Sequence, residues 1–255
     1  MRIYSSDSKE NEIKNLDDWF KFCPPEGKEK QWVDLRSAKE MAKFWTTYDG
    51  HYSESYLEDF KAFIGKSIKD FEIDYIVPEY VSKFDNFGKS RQHDLLITET
   101  NNNAIITVEG KADEPFGNIY FGEKFKETID EKIKNNDSNA LDRIINLFQN
   151  YFKSNAKTLE IMYQLTHWFA GSLVDTKKFK TENFIMVLQE FRSITTKIEK
   201  LEANHNEFEK FIELISEGKY SKIDQRQILG PINNTFTKGD NFNKNLYIGY
   251  YLIEI

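Results

Sequence analysis

Asp94, Glu109 and Lys111 have the residue types and spacing for metal-assisted hydrolysis. Asp94 precedes the apolar run Leu95-Leu96-Ile97-Thr98, and Glu109 ends a run that begins at Ala104. Asn101-Asn102-Asn103 lies between them and reads as the turn of a β-hairpin. A symmetric turn centred between Asn101 and Asn102 sets Asp94 directly opposite Glu109. Their Cβ atoms would then lie about 4.5–5.5 Å apart. Two carboxylates so placed repel each other, and a divalent cation is the natural compensation because hard cations take carboxylate oxygens. Lys111 follows Glu109 by two residues, so period-two alternation puts both on one face. A lysine there can orient a water or stabilise charge developing on a phosphate, and the carbonyl of Gly110 offers a further ligand.

The bland alternative is a solvated hairpin face. Glu-x-Lys alone occurs on any such strand, and the opposing aspartate supplies the specificity. A one-residue slip of register would turn one of the acids to the other face.

The elements that must position these residues are legible in outline. Leu16 to Ile64 reads as largely helical with a break at Pro24-Pro25. One helix is expected from Ser37, with Ser37 and Glu40 as a capping box, and another over Ser55–Ile64, ended by Gly65. Phe71–Ile76 alternates as a strand. Helices are expected over Glu123–Lys134, Asn139–Phe152 (with Ser138 as its cap), Ala156–Leu173 and Glu207–Ile215. Phe184–Leu188 and Asn245–Ile255 read as strands. The expectation is one α/β arrangement, with residues 1–65 as an N-terminal helical extension and 66–255 as the domain that carries the site.

The stretch Val108-Glu109-Gly110-Lys111-Ala112-Asp113-Glu114-Pro115-Phe116-Gly117 resembles the signature of an uncharacterised bacterial domain family assigned to the PD-(D/E)xK nuclease superfamily. Ser90-Arg91-Gln92-His93-Asp94 resembles that family's approach to its strand aspartate, and Met162-Tyr163-Gln164-Leu165-Thr166-His167 its later helix. Trp32, Ser37-Ala38 and Trp45 resemble its N-terminal pattern. The chain departs from the family at Met162, where an arginine is usual, and at Lys89, where glycines are. The resemblance implies a restriction-endonuclease-like mixed sheet flanked by helices. It also implies Mg²⁺- or Mn²⁺-dependent cleavage of phosphodiesters, foremost in DNA, with a place in bacterial defence. Carried over residue by residue, Asp94, Glu109 and the Gly110 carbonyl bind metal and Lys111 is the catalytic lysine. Gln164 is a supporting polar residue from the later helix, and Glu79 stands for a glutamate that superfamily members bring from a preceding helix. Asp113 and Glu114 serve as turn caps or as further metal or substrate contacts.

Composition sets the outer bounds. The 255 residues carry a net charge of -7, which disfavours coating nucleic acid through bulk charge but not a local catalytic surface. One cysteine excludes an internal disulfide, and no apolar run approaches the ~20 residues of a membrane helix. The N-terminus lacks a signal-peptide apolar region, so a cytoplasmic location is the expectation. His51, His93, His167 and His205 show no zinc spacing. Gly65-Lys66-Ser67 and Gly88-Lys89-Ser90 imitate a P-loop ending, but the motif's first glycine would fall at Phe60 and Lys83. The four tryptophans are expected in the core. Alternatives to a nuclease are an inactive nuclease-fold module that binds nucleic acid, a protein partner within a defence complex, and a hydrolase of another phosphate ester. A homodimer fits any of these.

Overall fold

The computed structural model describes residues 1–46, 54–87, 91–233 and 244–255. Gly88-Lys89-Ser90 and His51 lie outside the described residues. The strands are β1 (Arg2–Ile3), β2 (Ile73–Ser82), β3 (Arg91–Glu99), β4 (Ala104–Lys111), β5 (Asn183–Arg192), β6 (Gln227–Asn233) and β7 (Asn245–Glu254). The helices are α1 (Leu16–Phe22), α2 (Ser37–Thr46), α3 (Glu54–Gly65), α4 (Phe121–Lys134), α5 (Ala140–Asn146), α6 (Tyr163–Phe179) and α7 (Ile198–Ile215).

The strands form one mixed sheet of order β1-β2-β3-β4-β5-β7-β6. β2, β3 and β4 run antiparallel in turn, while β4, β5 and β7 are mutually parallel. The continuous apolar run of β5 is explained by this central place, since both of its faces are covered. Against one face lie α4–α7, with Trp168, Phe169 and Phe208 in the core. Against the other lie α1–α3, with Trp45, Phe60 and Phe63. The N-terminal helical segment therefore forms the second layer of the sandwich, and β1 adds an edge to the sheet. The expected α/β class, a mixed sheet flanked by helices, is what the structure has.

The hairpin register follows the expected centring. Leu95 pairs with Val108, Leu96 with Thr107 and Ile97 with Ile106. β2 runs six residues beyond its expected end at Ile76, through Pro78. Proline is tolerated there because β1 pairs only Tyr75 and Ile76, which leaves β2 without an outer neighbour at that point. The capping box expected at Ser37 is replaced. The Ser37 hydroxyl donates to Glu114, and Glu40 Oε1 accepts from the Leu35 amide at 2.8 Å. The single helix expected over Ala156–Leu173 is a 3-10 turn, Ala156–Glu160, followed by α6 from Tyr163. Ser138 does meet the Ala140 amide at the start of α5, at 3.3 Å. Trp19, Trp45 and Trp168 are buried, and Trp32 stacks partly covered on Phe20.

Candidate active site

The end of β4 gathers several polar side chains. Glu109 and Lys111 point toward α6 and are 1% and 5% exposed. Lys111 Nζ donates to Glu109 Oε1 at 2.9 Å, and Gln164 Nε2, from the first turn of α6, donates to the same oxygen. The ammonium also lies 5.3 Å from the centre of the Phe116 ring. Burial pulls the Lys111 pKa down, but the charges of Glu109, Asp94 and Glu114 together outweigh it and hold the pKa above the ordinary lysine value. These neighbouring carboxylates favour the charged ammonium.

Asp94 and Glu109 occupy the positions immediately past the last rung between β3 and β4. The direct carboxylate pair expected there is altered by a local break. On β3, Leu96 and His93 both face α6 although they are three positions apart, an odd spacing that should put them on opposite faces. On β2, Val77 and Tyr80 do the same. Alternation fails on both strands at one rung, where Glu79 stands opposite Asp94. Glu79 has φ 49°, a left-handed conformation that costs a non-glycine residue roughly 1–3 kcal/mol. Such a break in alternation, with the register kept, re-aims side chains. Here the result is that Asp94 turns across the sheet end, and its Oδ2 accepts from the Gly110 amide at 2.8 Å. Residue 110 has no room for a side chain unless Met41 moves: an added Cβ would lie 2.5 Å from Met41 Cε.

Glu79, Asp94, Glu109, Gly110, Lys111 and Gln164 line one cavity of about 410 Å³. All six residues singled out in the sequence therefore meet in one place. Glu79 reaches it from a strand, not from the helix that the resemblance implied. Gln92 also lines the cavity and braces Glu79, donating from Nε2 to the Glu79 carbonyl at 3.3 Å. His93 turns away and meets Asp175 of α6 at 3.2 Å in the interior. Among the described residues, no three His, Cys, Asp or Glu side chains gather at metal-ligand spacing.

Sequence reasoning missed the opposite wall. Trp19, Pro25, Glu26, Lys30, Gln31, Arg36, Ser37 and Ala38 come from the N-terminal segment and face the β4 end. Two acids that follow the Glu109-Gly110-Lys111 triplet fasten this wall. Asp113 pairs with Arg36 at 2.6 Å and with Lys200 at 3.5 Å. Glu114 accepts from Ser37 and turns back to the Asp113 amide at 3.0 Å. Trp19, Pro25 and Ser37-Ala38 were noted in the sequence as a core residue, a helix break, and a helix start and N-terminal pattern, not as part of the site.

Five carboxylates line the cavity (Glu26, Glu79, Asp94, Glu109 and Glu114) against three cations, Lys30, Arg36 and Lys111. A phosphate would meet a net negative chamber. The family model for a domain of unknown function, DUF6946, matches residues 12–251. The chain belongs to that family. The DUF6946 match takes in the N-terminal wall and the sheet together, so both sides of the cavity fall within it. No curated protein and no solved structure matches the chain.

Proposed function

We propose that the protein is a Mg²⁺- or Mn²⁺-dependent nuclease of the PD-(D/E)xK type, with a restriction-endonuclease-like fold, that hydrolyses phosphodiester bonds in DNA. One observation carries this reading: Asp94, Glu109, Lys111 and Gln164, drawn from three elements, line one cavity at the end of a β-hairpin. The residues fit a hard divalent ion. Asp94 and Glu109 would supply carboxylate oxygens and Gly110 a carbonyl, and Mg²⁺ favours such a small protein share completed by water. The surplus of carboxylates argues the same way, because one divalent charge would offset it and admit a phosphate. Bound there, the ion would supply Lewis-acid polarisation of the phosphate and a water of lowered pKa.

The chain's own residues divide the remaining work. Lys111 stabilises charge developing on the phosphate and orients the attacking water. Gln164 fixes the Glu109 carboxylate from α6. Glu79, in its left-handed conformation, and Gln92, bonded to its carbonyl, hold the strand segment beside Asp94.

A second reading is a nuclease-fold module that binds nucleic acid, or a protein partner in a defence complex, without cutting. It is favoured by the engagement of Glu109 with both Lys111 and Gln164, which satisfies that carboxylate within the protein. Incubation of DNA and RNA with Mg²⁺, Mn²⁺ or EDTA separates the two. Metal-stimulated cleavage lost in Lys111→Ala supports the enzyme. Binding without cleavage, unchanged in Glu109→Ala, supports the module.

A further inference from the structure

We infer that His93, through its bond to Asp175 on α6, is the positioning residue that aims Asp94 into the cavity. This rests on the nuclease reading only for the task of Asp94 as a metal ligand. The aiming itself is a property of the fold.

The alternation of β3 shows what has to be explained. Leu95 and Ile97 face the α1–α3 layer, and Leu96 faces the α4–α7 layer. A regular strand would continue with His93 toward α1–α3 and with Asp94 under α6, beside Glu109. Two carboxylates would then sit side by side and repel. The observed arrangement differs. His93 is fully buried under α6, with its Nε2 3.2 Å from Asp175 Oδ2. Asp94 Oδ2 stands 3.6 Å from the point where a Gly110 Cβ would be, on the side of Met41 and Ser37, and accepts from the Gly110 amide at 2.8 Å.

The bond to Asp175 supplies the reason. Asp175 is 1% exposed, and a carboxylate left there without a donor costs more than one residue in a left-handed conformation. The chain therefore keeps His93 inside and carries Glu79 at φ 49°. Tyr80, the register partner of His93, turns inward with it. The two rings are parallel to within 2°, and the Tyr80 hydroxyl accepts from Lys178 Nζ at 3.0 Å, one turn of α6 beyond Asp175. Two polar bonds to one stretch of α6 thus hold the inward residues of both strands. The residues beside them, Glu79 and Asp94, are left at the cavity.

The Gly110 amide reports where Asp94 is, because a proton given to a carboxylate resonates downfield. The test follows that resonance by heteronuclear magnetic resonance in the metal-free protein, with Asp94→Ala as the reference for a lost bond. His93→Leu and Asp175→Leu are each expected to move it toward the Asp94→Ala position. Asp175→Leu also takes away the buried charge, so it leaves no unpaired carboxylate to unfold the chain. His93→Gln, whose Nε2 can reach Asp175, is expected to restore the wild-type resonance. An unmoved Gly110 resonance in both leucine variants overturns the inference and leaves the nuclease reading standing. A shift in His93→Leu alone assigns the effect to the bulk of the ring and overturns it too. Mn²⁺ titrations read by electron paramagnetic resonance form the second arm. Both leucine variants are expected to bind Mn²⁺ about 10–100-fold more weakly than wild type, as changes behind a metal ligand do. Mn²⁺ binding that is absent, or unchanged in both variants, while Gly110 still responds to them keeps the inference and removes Asp94 as a ligand.

Discussion

Lys111 and Glu109 form a buried ion pair, and such pairs are valuable mainly because breaking them is costly. Lys111→Ala leaves the Glu109 charge in the interior and should cost about 3–5 kcal/mol in urea unfolding, beyond its effect on cleavage. A loss under 1 kcal/mol would show that water reaches the pair freely. Gln164 acts through Glu109, so Gln164→Ala should lower cleavage about 10–100-fold, as changes next to metal ligands do. Activity near wild type would remove its positioning role. Glu190 on β5 makes a separate residue-scale statement. Burial pushes its pKa up to about 7, against the stabilising hydrogen bond from Tyr250 at 2.6 Å. The folded protein then binds a proton that the unfolded chain releases near pH 4.5. The resulting stabilisation is full below pH 4.5 and fades as pH rises to about 7. Glu190→Gln should remove this loss of about 3 kcal/mol across pH 4.5–7. Urea midpoints of both proteins at pH 5 and pH 8 would show it; parallel slopes would contradict it.

Among the elements, the sheet end matters more than any helix. β7 comes close to α3 at Gly249, where an added Cβ would lie 2.7 Å from Phe63 Cζ. That ring is part of the core, so Gly249→Ala should destabilise by about 1–3 kcal/mol through overpacking. A neutral result in thermal unfolding would mean that α3 shifts freely. The hairpin was legible because turn chemistry and alternation agree over Asp94–Lys111, and the register of β3 on β4 follows directly. β5 was legible from its unbroken apolar run. β1, two residues long, carries no pattern to detect. β6 carries Gly230-Pro231 in its middle, residues that do not mark a strand, and it was not read from the sequence. The break at Glu79 and Asp94 was hidden for a different reason. Period two is a rule for regular strands, and a residue that leaves the extended region, as Glu79 does at φ 49°, breaks it without any mark in the sequence. The N-terminal wall was missed because its bonds to Asp113 and Glu114 span 77 residues of sequence, beyond any local pattern.

For the whole molecule, two helical layers enclose one mixed sheet, and the cavity opens where the hairpin ends between them. No helix among the described residues is long and apolar enough to cross a membrane. The acidic balance of the chain and the acidic lining of the cavity share one consequence: the site needs a cation before an anion can enter. Diffraction from crystals soaked in Mn²⁺, recorded for anomalous signal, tests this most directly. The account predicts a peak within ligand distance of both Asp94 and Glu109, and its loss in Glu109→Gln crystals. A difference map with no anomalous peak in the cavity, or Mn²⁺ bound only at other carboxylates, would contradict it.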